Sequence, residues 1–558
     1  MTETGSADGA GPGLTADAGL AAERERLSRQ LRDTRVQLAM TQTRLSALEQ
    51  SATMRFGRTI ANAAKKPWPR GALLPRDLYK LWRDRGAPKS GAQNAASALA
   101  SAQLADLKGT GGRFLSALTA PGLAPDDTGL VITGALSALG CATLAPDAVV
   151  HPLLPHDADV VVEGTGADLV LIQASALLPG EPWAYATDPA AADRGRRLAR
   201  MIVMARALGK PVVLVRDVPP ALMPGLGWLA GTCDAVLEGG LGVQLARFNP
   251  VGVSPARPSA PLYAGVRDPR EAPAVKALLD ALTAGGTELA GARSWRSLPA
   301  LYRDNAVFVT ASAWQGREQA ASGARVIGPL GSGTSLDAVR AELEAARAGQ
   351  PLSMAEIRLR LRGIFAADAT PARLTEILTA AELPASLVAG RQIGVLTFAA
   401  DGAQAGRLAA ALLAQRVAPA EVIAGCQPGQ ADAVRAALRP LAGHGIRVTV
   451  SSAVRPGPGP SVAERVRPLA RLSGAAWLAP LAAEAEPPAD YLLDLACARE
   501  CGQADAVGTG AREYEFTRWL EEPALVRAAL LKPGGPAAGD WGSRGLRLFT
   551  VTAGPAAG

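Results

Sequence analysis

At 558 residues the chain is too long for one compact core, so several folded units are expected. Hydrophobic residues at 48%, charged residues at 20%, 60 glycines and 42 prolines exclude a disordered chain and describe a globular, Ala/Gly-rich one with proline-marked joints. The formal net charge is +7, and five scattered cysteines (141, 233, 426, 497, 501) beside three histidines form no Cys/His cluster, so no metal site is expected.

Residues 1–19, MTETGSADGAGPGLTADAG, are acidic and Gly-rich. They lack the charged and then apolar profile of a secretory signal, which places the protein in the cytoplasm behind a disordered N-terminus. Over residues 20–53, Leu20, Arg24, Leu27, Leu31, Thr34, Leu38, Thr41, Leu45 and Leu48 alternate spacings of four and three. That is a heptad seam about four heptads long, expected to pair copies of the chain as a homo-oligomer or to pack on its own body.

Residues 54–86 carry nine Lys/Arg against two Asp, a net +7 that equals the charge of the whole chain. Trp68, Tyr79 and Trp82 interleave with the cations. A basic amphipathic strip of this kind suits the anionic inner face of a membrane, where each cation adds roughly 1 kcal/mol; the alternative is a solvated linker. Nucleic acid is not expected as a partner, since no base-reading element accompanies the strip.

A loose Ala/Ser/Gly linker follows over 87–125. The uncharged run Gly129 to Pro146 contains too much Gly, Ser, Thr and Pro for a bilayer span and reads as a buried strand and helix. Short apolar runs then alternate with helix-length segments: DLVLIQAS (168–175), GKPVVLVRDV (209–218), CDAVLEG (233–239), APLYAGV (260–266), NAVFVTAS (305–312) and ARVIGP (324–329). A second series opens at Arg391 with QIGVLTFAADG, followed by PAEVIAGC and GIRVTVSS. The pattern predicts α/β modules with parallel sheets covered on both faces. Cys497 and Cys501, four apart on a predicted helix, read as core.

In such sheets ligands sit at the carboxyl ends of strands. The loop GPLGSGTSLDAVRAEL (328–343) is Gly-rich and opens a helix that Ser335 is placed to cap. Gly328, Gly331, Gly333, Thr334 and Ser335 could offer backbone N–H groups to a phosphate, although Gly333-Thr334-Ser335 lacks the Walker lysine. An ordinary helix cap is the competing reading.

In order and wording these segments resemble bacterial multidomain glycosyltransferases built from a coiled-coil leader, a GT-B-like pair of Rossmann-type halves and a GT-A-like, family-2-like module. ADLVLIQASALLPGEPW, GKPVVLVRDVPP and CDAVLEGG resemble the first GT-B half, and ALYRDNAVFVTASAWQGREQAASGARVIGP the donor side of the second. The resemblance implies a GT-B-like module over 126–385, a GT-A-like module over 391–530 and a C-terminal tail over 531–558. It assigns Glu318 to the family's catalytic glutamate position and Thr310 to that of its partner eight residues earlier. It makes Arg317 and Arg325 candidates for offsetting the donor diphosphate, with no metal or other cofactor. In the GT-A-like module the aspartates of the metal loop are replaced by Ala482, Ala483, Glu484 and Ala485, so a degenerate loop is expected. The implied partners are a nucleotide sugar as donor and a glycan or lipid-linked acceptor for envelope or surface glycan assembly. The alternative is a catalytically inactive scaffold holding partners at the envelope.

Overall fold

The computed structural model describes residues 130–552 apart from 219–222, 224, 255, 265–272, 291–294, 331–332, 385–390 and 511–512. The heptad seam (20–53) and the basic strip (54–86) lie outside the described residues. Three sheets follow one another along the chain.

The first unit holds β1 (Val131–Ala135), β2 (Val149–Pro152), β3 (Leu169–Gln173), β4 (Val212–Arg216) and β5 (Ala235–Glu238), with α1 (Ala138–Leu144), α2 (Ala158–Gly164), α3 (Ala192–Ala207) and α4 (Leu226–Thr232) as connections. All strands run parallel in the Rossmann-like order β2-β1-β3-β4-β5. The sequence VVLVR and its neighbours form strands because helices bury both sheet faces, which favours continuous β-branched runs over alternation. Leu198, Met201, Ile202 and Ala205 give α3 the stripe that docks it on the sheet. Its other face carries Arg196, Arg197 and Arg200 into solvent.

The second unit contains β6 (Leu262–Tyr263), α5 (Pro273–Ala284), β7 (Glu288–Leu289), α6 (Leu298–Asp304), β8 (Val307–Val309), α7 (Ala313–Ala321), β9 (Arg325–Ile327) and α8 (Leu336–Ala348). Its parallel sheet has the order β7-β6-β8-β9. Next comes α9 (Met354–Gly363), started by a reciprocal capping box between Ser353 and Glu356. After it α10 (Thr370–Ala380) returns to the first unit, where Leu374, Ile377 and Leu378 join the core of Leu130, Ile132 and Leu171.

The third unit is a mixed eight-stranded sheet. It comprises β10 (Ile393–Phe398), α11 (Gly402–Leu413), β11 (Glu421–Gly425), α12 (Ala431–Gly443), β12 (Arg447–Ser451), α13 (Val462–Val466), β13 (Trp477–Pro480), α14 (Tyr491–Gly502), β14 (Ala506–Thr509), β15 (Glu515–Thr517), β16 (Pro523–Arg527), α15 (Ala528–Leu531) and β17 (Leu548–Val551). The order is β12-β11-β10-β13-β16-β14-β17-β15, with β16 antiparallel to both β13 and β14.

Here the structure corrects one boundary. Residues beyond 530 read as a tail, yet β17 pairs with β14 and β15, and Trp541 is 1% exposed. The short alternation in LFTV was hidden by the Gly- and Pro-rich stretch before it. Helix α14 is enclosed all round, with ten of its twelve residues buried, Asp494 and Glu500 among them, because it lies under the sheet and against α9 at once. Consequently Phe248, Tyr302, Ile357 and Phe365 of the second unit share one core with Ile393, Cys497 and Phe549 of the third.

Candidate functional site: the contact between the first two units

Two strand ends meet at one side chain. Chain leaving β5 at its carboxyl end runs through Gly239, Gly240, Leu241 and Gly242, and chain leaving β8 enters α7, whose second residue is Trp314. The indole lies on Gly240 so closely that a Cβ there would stand 2.5 Å from Nε1, which is why a glycine is needed. Arg317 stacks on the indole at 4.9 Å and Arg373 at 5.9 Å. Arg373 reaches back from α10 to donate to the carbonyls of Gly240 (3.1 Å) and Glu238 (2.8 Å). Trp314 thus joins the chain past the carboxyl end of β8 to the chain past the carboxyl end of β5.

The anticipated site residues are divided by this geometry. Thr310 is buried at the end of β8, its hydroxyl closed in a local turn with Ser312. Gly328 follows β9 at φ +120°, and a Cβ there would meet the Thr310 carbonyl at 2.4 Å, so no other residue fits the turn. The loop is tied to β8 by Leu330 N–H donating to Thr310 O at 2.8 Å. Gly333 faces open space and Ser335 caps α8 by accepting from Ala338 N–H. Thr334 lies between them, half-buried. Gly331 lies outside the described residues.

Arg317 is on the Trp314 side but is paired with Asp368 at 3.2 Å. Arg325 is not brought to the loop: it begins β9, at the opposite end from Gly328, and donates to Gln350 O at 3.5 Å.

Glu318 sits inside α7 at 6% exposure, and no cation among the described residues forms an ion pair with it. Burial pushes its carboxyl up to about 8, so near neutral pH it carries its proton and can donate a hydrogen bond. Beside it lie Tyr302 and Gln319, both fully buried, and burial pushes the Tyr302 hydroxyl up more strongly than the Gln319 and Gln315 side chains draw it down.

The sequence reading missed a polar network at the switch point of the first sheet. Gln173, ending β3, accepts from the backbone N–H and hydroxyl of Ser137 after β1 (3.1 and 2.9 Å) and donates to Asp217 after β4 (2.7 Å). Asp217 also accepts from Ser175 N–H at 2.8 Å and from its hydroxyl at 2.6 Å. Burial raises the Asp217 carboxyl against the pull of these hydrogen bonds. The available signal was positional: each of these polar residues ends or directly follows an apolar run, where an open parallel sheet places its ligands.

In the third unit the loop after β13 places Ala482 and Ala485 half-buried, Ala483 at 1% exposure and Glu484 in solvent. The Glu484 carboxylate accepts from Gln404 Nε2 at 3.3 Å. No group of three or more His, Cys, Asp or Glu that could hold a metal ion occurs among the described residues. Helices long and apolar enough to cross a membrane are also absent among them.

No family model matches the chain and no curated protein is similar to it. Solved structures with some likeness are those of S. aureus TarS. Residues 1–349 of that protein match at 12% identity and a TM-score of 0.23, covering 29% of this chain and 58% of that one. A longer TarS chain matches at 13% and 0.24, covering 29% and 35%. TarS 1–349 in complex with UDP-GlcNAc matches at 13% and 0.23, covering 29% and 56%. This chain thus spans less than two thirds of each TarS chain it matches.

Proposed function

We propose that the protein is glycosyltransferase-like and binds a nucleotide-activated sugar, without a metal ion, where its first two units meet. The observation that carries this reading is the meeting of Trp314, just past the end of β8, with Gly240, just past the end of β5. It joins the chain past the ligand-bearing edges of two parallel sheets. The exposed Gly333 to Ser335 turn, opening the thirteen-residue α8, offers backbone N–H groups and a helix dipole to a diphosphate. An acceptor glycan or lipid-linked acceptor would then meet the Ser175–Asp217 side, with Asp217 as the carboxylate able to take a proton. A role in envelope glycan assembly at the inner membrane face follows from the basic strip at 54–86.

A second reading has a specific observation behind it. Glu318 is enclosed, Thr310 replaces its expected acidic partner and the loop at 482–485 has one carboxylate, which together suit a scaffold that binds sugar nucleotide without turning it over. Calorimetric titration of the intact chain with a panel of nucleotide sugars, first in EDTA and then in manganese, tests both. Saturable binding of one sugar nucleotide, unchanged by manganese, is expected; failure of the whole panel would sink the sugar-nucleotide reading. Binding without transfer or hydrolysis would favour the scaffold.

A further inference from the structure

A concavity of about 390 Å³ opens between the chain just past the carboxyl end of β2 and the start of α3. Leu154, Pro155 and Pro182 give it apolar walls, and His156, Arg194 and Arg197 give it its polar groups. Arg194 and Arg197 stand one turn apart on α3, so their side chains leave the same face. Each is steadied by a different wall: Arg194 Nη1 donates to Pro182 O at 2.7 Å and Arg197 Nη1 to Pro155 O at 2.9 Å. One donor of five is thereby used on each guanidinium.

Among the described residues neither arginine makes an ion pair, nor do Arg196 and Arg200 on the same helix. Asp193 is the single carboxylate in the lining. By contrast, Arg206 at the far end of α3 is neutralised by Asp234 at 2.7 Å. The chain outside 54–86 is neutral in sum, so four unpaired cations on two turns of one helix are a local concentration of charge.

We propose that this concavity binds a phosphoryl group carried on a larger organic molecule. Planar guanidinium forks match tetrahedral phosphate oxygens in pairs. The volume falls in the range of roughly 300–1,000 Å³ found for small-molecule clefts, far more than a free anion fills, and the apolar walls supply contact for the organic part. The inference does not rest on the donor reading, because the site belongs wholly to the first unit and lies on β2 and α3. A lipid headgroup and a soluble phosphoester share this chemistry.

The test is a phosphorus-observed titration of the intact chain at low salt with inorganic phosphate, glycerol phosphate and glycerophosphoglycerol. The organic phosphates should bind saturably and more tightly than inorganic phosphate. A preference for the diester identifies a lipid headgroup, and a preference for the monoester a soluble ligand. Replacing Arg194 and Arg197 together by glutamine should weaken binding at least about tenfold, whereas Arg206→Gln should leave it unchanged. Should the double variant fail to fold, Arg197→Lys, which keeps the charge and loses the fork, should still weaken binding severalfold. Unchanged affinity in these variants, or no saturation by about 10 mM, the limit of millimolar recognition, overturns the proposal.

Discussion

Arg362 grips Asp494 with both arms, Nε to Oδ1 at 2.7 Å and Nη2 to Oδ2 at 2.8 Å, across the boundary between the second and third units. Its remaining arm holds Asp490 at 2.6 Å, and one turn earlier on α9 Arg358 holds Glu513 at 2.5 Å. Asp494 is almost wholly buried. Asp490 still holds Arg362 when Asp494 is removed, so Asp494→Ala is expected to cost less than the roughly 3–5 kcal/mol of a wholly stranded charge, on the order of 1–3 kcal/mol. Chemical denaturation should show it, together with new proteolytic cleavage between residues 363 and 393. Wild-type stability in this variant would mean that the pair is solvated.

Glu318 gives a pH signature. Its carboxyl titrates at about 8 in the folded chain, against about 4.3 for an ordinary glutamate. Folding therefore retains a proton that the unfolded chain releases. Its stabilising contribution is complete below the unfolded value and is lost as pH rises from there through about 8, by at most about 1.4 kcal/mol per pH unit. Urea unfolding of wild type and Glu318→Gln between pH 5 and pH 8.5 should diverge, with the variant gaining relative stability at the alkaline end. Parallel curves would show that Glu318 is ionised and paired.

Contact between Gly240 and Trp314 can be isolated by a double-mutant cycle. Gly240→Ala forces the indole aside and should destabilise by about 1–3 kcal/mol. In a Trp314→Ala background the same change should cost little, giving a coupling above about 0.5 kcal/mol. Additive effects would detach the two residues and with them the pin between the first two units.

The loop after β13 should resist repair. Ala482 is half-buried, so Ala482→Asp leaves its carboxylate within reach of water and is expected to cost little. Ala483 is enclosed, so Ala483→Asp buries a carboxylate and should lower stability by several kcal/mol unless it stays protonated. Thermal melting with and without manganese checks both points, and a manganese-dependent rise in Tm for wild type would restore the metal site.

For residues 54–86 the prediction rests on sequence. Attraction to anionic vesicles should fade as salt shortens the Debye length from about 10 Å at 0.1 M to about 3 Å at 1 M. Neutralising Arg55, Arg58, Lys65, Lys66 and Arg70 should release most of the bound protein. Equal partitioning onto neutral vesicles would reduce the segment to a linker.

The strands were legible because burial on both faces writes them as unbroken apolar runs, and each of the six runs from 168 to 329 contains one. The turn at Gly328 and the cap at Ser335 were legible because each answers a local backbone need. The Ser175–Asp217 bond joins residues 42 apart and the Arg362–Asp494 pair residues 132 apart; no periodicity registers a partner so distant. Arg325 was misplaced because a sequence does not say which end of a strand faces the ligand until the strand's three residues are counted in place. β17 was missed because glycine and proline before it imitate a tail.

Helix α14 makes the second and third units one cooperative body. A cut at residue 391 would leave Arg358 and Arg362 as naked charges on one fragment and an apolar helix face on the other. Because α9 and α14 share one core, loss of either unit's packing is expected to loosen the other. A fragment that begins or ends at that joint would report on its own collapse before it reported on a ligand.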